Sequence, residues 1–169
     1  MGLEQHFNLV VAGVGPDGKP AFLEPGAAQS MSQPGIVDVA FLWANEGTPV
    51  VPKGIGSAPT RMGMPGPNGS AFGVVRFPPN SAGKLDASDV LSETTEVEAG
   101  NEAMHATDTV DYEIILSGKI DIVLPGNQRR TLKPGDLLVM GGVPHAWENI
   151  YDEECTYVFV VVGAHRGKA

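Results

Sequence analysis

Two histidines and one aspartate in the C-terminal half of this 169-residue chain carry the side chains best suited to chemistry. His105 stands six residues ahead of Asp111 in MHATDTVDYEIILSG, and His145 follows in PGDLLVMGGVPHAWEN. Two imidazoles and a carboxylate that converge make a facial triad. Such a set suits non-haem iron, manganese or zinc and leaves positions open for water or substrate. The plainer alternative is that each histidine hydrogen-bonds in the core, or does acid/base work without metal near neutral pH. Spacing alone leaves both open.

The elements that must position these groups are short strands. Residues of equal parity on a strand share a face. If the segment is extended, His105, Thr107, Thr109, Asp111 and Glu113 share one face, and His145, Trp147 and Asn149 share one face of another strand. Trp147 then either stacks on a planar substrate or forms a core wall. Tyr112, of opposite parity, is expected to pack between strands or sheets. Arg76 interrupts the apolar run VVRF. It is a candidate to clamp a substrate carboxylate bidentately, or to pair with an acidic residue on a neighbouring strand. Met62 and Met64 flank a glycine in a long loop and could cover an apolar ligand.

Along the chain, Phe7–Ala12 and Ala21–Phe22–Leu23 read as partner strands about a Gly-Pro-Asp-Gly-Lys turn. Ile36–Trp43 and Ala71–Phe77 are further strand candidates. Pro49–Asn68 fits no regular element, and Asp86–Thr95 has the capping residues of a short helix. Tyr112–Leu116 and Ile120–Leu124 read as a hairpin about Ser117-Gly118-Lys119. Thr131–Leu132, Leu137–Met140 and His145–Trp147 are short strands, and Thr156–Gly163 a buried one. Strands at this spacing, with 22 Gly and 14 Pro scattered among them, point to an all-β sandwich or barrel rather than a bundle.

Composition narrows the function. Hydrophobic content of 42% suits a single packed domain. The net charge of −9 is concentrated between Leu85 and Asp111, with eight acidic residues and no Lys or Arg. That segment reads as a solvated loop or a cation-attracting lid. A phosphate backbone would be repelled, so nucleic acid is not an expected partner. No apolar run approaches the ~20 residues of a membrane span, and no signal peptide is read at the N-terminus. The one cysteine, Cys155, excludes an internal disulfide and fits a cytoplasmic setting. Its acidic neighbours argue against a nucleophilic role.

The block from His105 to Gly163 resembles a cupin of the small, single-domain conserved-barrel type (cupin_2). Gly118 stands at the closing glycine of that family's first motif, Asp111 at its glutamate and His105 at its first histidine. Thr107 occupies the second histidine position. In the second motif Gly135, the Gly142-Val143-Pro144 turn, His145 and Asn149 match, with the turn one residue shorter and Gly141 in place of proline. The resemblance implies a double-stranded β-helix, or jelly roll, over 1–169. Residues 1–80 would be N-terminal strands and extension, 81–104 an acidic loop or short helix, and 105–163 the core motifs. It implies a homodimer and a small-molecule enzyme. His105, Asp111 and His145 would hold a divalent metal (Fe, Zn or Mn), with His105 and His145 catalytic. Thr107 would hold a water or the Asp111 carboxylate, and Glu113 could supply a replacement carboxylate. With Trp147, Arg76 and Asn149 these would line the substrate pocket. Oxygenase or lyase/isomerase chemistry on a small aromatic, carboxylate or enol substrate follows from this reading. The alternative is a binding module that catalyses nothing.

Overall fold

The structure, a computed structural model, describes residues 2–86, 96–98 and 101–167. After a 3-10 turn (Leu3–His6), the strands are β1 (Val11–Val14), β2 (Pro20–Leu23), β3 (Gln29–Gln33), β4 (Val37–Asn45), β5 (Ser70–Phe77), β6 (Glu96–Glu98) and β7 (Asn101–Ala106). There follow β8 (Thr109–Ser117), β9 (Ile120–Leu124), β10 (Gln128–Leu132), β11 (Leu137–Gly141), β12 (Ala146–Glu148) and β13 (Cys155–Gly163). No described helix is long and apolar enough to cross a membrane.

A six-stranded sheet runs β11-β8-β13-β5-β4-β3, and opposite it lie β10-β9-β12 and the pair β6-β7. All ladders are antiparallel. The β6-β7 pair joins the second layer through a bridge between His105 and His145. The result is the jelly-roll barrel that the resemblance implies, with β1-β2 as a separate N-terminal hairpin.

Alternation decides the layering. Along β8 the inward residues Thr109, Asp111, Glu113 and Ile115 are buried, while Tyr112, Ile114 and Leu116 are exposed. The inner faces of both layers share one core that includes Phe41, Val75, Phe77, Ile122, Tyr157 and Phe159. Phe41 packs edge-on against Phe159 at 5.1 Å, and Tyr157 stacks between Phe77 and Trp147. A second, smaller core lies on the outer face of the large sheet. There Leu3, with Phe7 and Leu9, covers Ala40, Leu42 and Val74.

Several expectations change. Tyr112–Leu116 and Ile120–Leu124 are not a hairpin: β8 pairs with β11 and β13, whereas β9 pairs with β10 and β12. The turn between them carries the chain from one layer to the other. Gly118 sits at φ 67°, and a Cβ there would collide with the carbonyl oxygen of Glu154. Only glycine combines that left-handed backbone with so close an approach. The first strand starts later than expected, at Val11. β3 (QSMSQ) was not expected, and β6 and part of β7 replace loop within 81–104. The helix expected from Asp86 lies, beyond that residue, outside the described residues. Pro49–Asn68 holds no strand, as expected.

Candidate functional site

The two histidines are cross-strand neighbours. His105 and His145 exchange both backbone N–H···O bonds at 2.9 Å. Their imidazoles stand 4.4 Å apart between ring centres, tilted by 53°. This pairing, rather than a continuous strand from His105 to Glu113, brings His105 to the site. β7 ends at Ala106, and the chain bends at Thr107-Asp108 before β8. The bend is fixed by Arg166, whose Nε donates to Asp108 Oδ1 at 2.6 Å and whose NH2 donates to the Thr107 carbonyl at 3.2 Å.

Each ring is also oriented from behind. Nδ1 of His105 lies 3.0 Å from the Ala103 carbonyl oxygen, and Nδ1 of His145 lies 2.9 Å from that of Val143. A carbonyl only accepts, so each Nδ1 carries the proton and each Nε2 keeps its lone pair. Burial holds both rings neutral. It lowers the pKa of His105, and it lowers that of His145 to about 3, with the His105 charge acting in the same direction. A base as weak as His145 does not suit proton abstraction near neutral pH, but a neutral Nε2 suits a metal or a substrate hydroxyl.

Both imidazoles face a cavity of about 80 Å³ lined also by Thr107, Asp111, Glu113 and Trp147, with Met64 from the long loop and apolar walls that include Phe41 and Tyr157. A water needs roughly 10–15 Å³ on this measure, so the space suits a few waters or a small organic molecule. Asp111 Oδ1 and Glu113 Oε2 are buried without a hydrogen-bond partner. Burial raises the pKa of Asp111. It raises that of Glu113 well above the usual range, where the Asp111 charge adds to the effect. Thr107 Oγ1 bonds Thr109 Oγ1 at 2.6 Å. Among the described residues no Lys or Arg lines this cavity, so its polar atoms are predominantly acceptors.

The donor types therefore fit a divalent metal: two neutral imidazole nitrogens and carboxylate oxygens that lack a partner. Their arrangement fits only in part. Among the described residues no three His, Cys, Asp or Glu side chains converge closely enough to hold a metal ion. The preformed part is the histidine pair.

Two expected pocket residues lie elsewhere. Arg76 points to the outer face of the large sheet and forks onto Asp38 Oδ2 of the adjacent strand, at 2.9 Å from Nε and 2.6 Å from NH2. Odd-numbered neighbours of Arg76 face the cavity, so its parity excludes it. Asn149 is fully buried but structural. Its Nδ2 donates to the carbonyls of Phe77, Pro78 and Glu153, and its Oδ1 accepts from Tyr151 N–H. Tyr112 does not pack between sheets; it is 48% exposed. Burial, assisted by Glu153, pushes the Cys155 thiol up to about 12, so it is no nucleophile. The sequence reading missed Tyr157, a cavity residue two positions into a largely apolar strand. Its only signal was its parity with Phe159 and Val161.

Comparison with known proteins bears on this fold. Residues 89–161 match the family model described as "Cupin domain". Phomopsin biosynthesis cluster protein C' of Diaporthe leptostromiformis is 44% identical over 50 residues, 30% of this chain and 26% of that protein. Oryzines biosynthesis cluster protein J of Aspergillus oryzae is 36% identical over 45 residues, 27% and 25% of the two chains. The cupin-domain-containing oxidoreductase srdD of Neurospora crassa is 32% identical over 47 residues, 28% and 24% of the two. The matched segments thus span about a quarter of these relatives' length. Among solved structures, the Cnp3 cupin domain of Schizosaccharomyces pombe superposes with a TM-score of 0.49 at 12% identity, covering 92% of this chain and 86% of that one. Residues 89–161 thus match a cupin-domain model, and the antiparallel jelly-roll barrel of the structure is consistent with that match.

Proposed function

We propose that this chain is a small-molecule enzyme that works in the barrel cavity and uses a divalent metal (Fe, Zn or Mn) held at His105 and His145, with Asp111 as the carboxylate ligand. The observation that carries the reading is the excess of acceptors. Two oriented imidazoles and two partnerless carboxylate oxygens share one cavity. An unpaired buried polar atom costs roughly 1–3 kcal/mol, and a cation is the partner that the imidazole Nε2 atoms and Asp111 lack. When bound, the metal would supply Lewis acidity toward a carbonyl, enol or carboxylate oxygen.

The chain's own residues do the rest. The Ala103 and Val143 carbonyls hold the imidazoles in one tautomer and orientation. Glu113, whose burial favours its protonated form, holds a proton at the cavity wall and can return it to a substrate carbon or oxygen. Trp147 and Tyr157 exclude water and present flat faces to a planar substrate. The cavity volume restricts that substrate to a small molecule. Isomerase or lyase chemistry involves no redox change at the metal, whereas oxygenation needs a redox-active ion such as iron. The oxidoreductase name carried by the Neurospora relative supports the enzymatic reading.

A second reading is a binding module without catalysis. It is favoured by the failure of three ligands to converge. Metal analysis separates the two. Protein reconstituted with Fe(II), Mn(II) or Zn(II) and desalted should retain about one ion per chain, and His145→Ala should lower that occupancy at least tenfold. Wild-type protein that retains none of these metals would overturn the metal-dependent enzyme. Oxygen uptake on catechols, hydroxybenzoates and diketones then tests the oxygenase branch.

A further inference from the structure

A second chamber lies against the cavity, on the outer side of the long loop. The loop is tied at both ends. Ala44 and Ser57 exchange backbone N–H···O bonds at 2.9 and 3.0 Å, and the Asn68 N–H donates to the Gly163 carbonyl at 3.3 Å. Between these ties residues 58–67 form no strand or helix, and Met64 packs, partly buried, against the main core. Met64 lines the cavity that holds His105 and His145, and it also lines the outer chamber, a pocket of about 400 Å³. The two spaces approach each other again at the bend: Thr107 lines the cavity, and its neighbour Asp108 lines the outer chamber.

The two chambers differ in charge. The cavity offers apolar walls, imidazole acceptors and carboxyl groups. The outer chamber is lined by Arg61, Arg166 and His165 against one acidic residue, Asp108. Arg166 is already committed. Its Nε pairs with Asp108 Oδ1 at 2.6 Å, and its other nitrogens donate to the carbonyls of Gly142 and Thr107. That ion pair cancels, so Arg61 makes the lining positive, in a chain whose net charge is −9. A guanidinium presents a planar donor fork that matches a carboxylate. One uncancelled positive charge matches a monoanion better than a dianion.

We propose that the chamber between the long loop and the C-terminal tail is an anion site, in which Arg61 holds the carboxylate of a small planar substrate whose body displaces Met64 to reach His105 and His145. The proposal rests on the cavity being the ligand site, and it adds the substrate class and the residue that selects it. The division of labour follows from the charges. A carboxylate carried into the cavity would face Asp111 and Glu113, whereas in the outer chamber it meets a cation. The uncharged, flat end of the same molecule suits the Trp147 and Tyr157 faces. Met64 suits the boundary because an unbranched thioether changes rotamer at little cost and adapts its contacts to what replaces it. A positive lining at the mouth also draws anions out of the repulsive field of an acidic protein.

Titration of the metal-free chain with benzoate and with benzamide, its uncharged isostere, tests this by NMR. The Trp147 indole N–H reports entry to the cavity, and the Met64 methyl reports passage at the boundary. Benzoate should shift both signals and bind about tenfold more tightly than benzamide. Arg61→Met should lower benzoate affinity to that of benzamide and leave benzamide unchanged, with a wild-type circular dichroism spectrum. Arg61→Lys, which keeps the charge without the fork, should retain part of the preference. Arg166 is left intact because it fixes the bend. Equal affinity for the two probes, or a benzoate preference that survives in folded Arg61→Met protein, overturns the anion site while the cavity reading stands. So does a Met64 signal that stays still while that of Trp147 moves. Tighter binding of phenyl phosphate than of benzoate overturns the monoanion class. If neither probe moves Trp147, the cavity reading falls, and the anion site with it. None of these outcomes depends on whether the protein retains metal.

Discussion

Replacing Asn149 by alanine separates a structural role from a role in the site. The side chain is fully buried and makes four hydrogen bonds to backbone groups of three segments: Phe77-Pro78 at the end of β5, Tyr151, and Glu153 ahead of β13. Alanine removes all four and leaves three carbonyls and one N–H to find other partners. The two Nδ2 hydrogens are shared among three carbonyls, so at a net value of about 1 kcal/mol per bond the loss is roughly 3 kcal/mol. For a domain of this size each kcal/mol lowers Tm by about 2–4 °C, so a fall of about 6–12 °C is expected. Differential scanning calorimetry of metal-free wild type and variant measures it. Metal affinity measured below the variant's melting range should be unchanged, because Asn149 does not line the cavity. A Tm within about 2 °C of wild type, or a loss of metal affinity in a fully folded variant, would refute the assignment of Asn149 to the scaffold.

Arg76→Met should likewise destabilise without touching the cavity. The Arg76–Asp38 pair is largely buried, and removing the cation leaves Asp38 unpaired. A loss of roughly 2–3 kcal/mol in urea unfolding, with ligand affinity retained, is expected; the combined Arg76→Met, Asp38→Leu variant should recover much of it. Stability of the metal-free protein should fall as pH rises above 6.5. The histidines, whose pKa values folding lowers, oppose folding only below 6.5 and are neutral in both states above it. Glu113, whose pKa folding raises, binds its proton more tightly in the native state, so its deprotonation disfavours folding as pH climbs. Glu113→Gln should flatten that slope in melts between pH 6.5 and 8.5; an unchanged slope would count against Glu113 as its source.

The C-terminal motifs were legible because strand alternation and turn residues are local. That is why β8, β11 and β13 were placed to within a few residues. What failed was non-local. Ser117-Gly118-Lys119 is as good a hairpin turn as it is a crossing between layers, and only pairing partners distinguish the two. His105 and Asp111 share parity, yet the bend at Thr107-Asp108 breaks the strand that parity presumed. His105 reaches the cavity instead through its pairing with His145, which no spacing reveals. β3 was missed because QSMSQ is an edge strand with little apolar content. Arg76 and Asn149 show the same limit from the other side. A polar residue in an apolar strand announces a buried partner, but not whether that partner is a ligand or the protein itself.

The placement of the two tryptophans gives the protein a built-in optical probe. Trp147 forms part of the cavity wall and stacks on Tyr157 at 4.7 Å, whereas Trp43 donates its indole N–H to the Ile55 carbonyl at the base of the long loop. A Trp43→Phe chain would therefore emit from the cavity alone. Quenching by a paramagnetic ion or a spectral shift on entry of an aromatic molecule could then be followed directly, before any substrate is known.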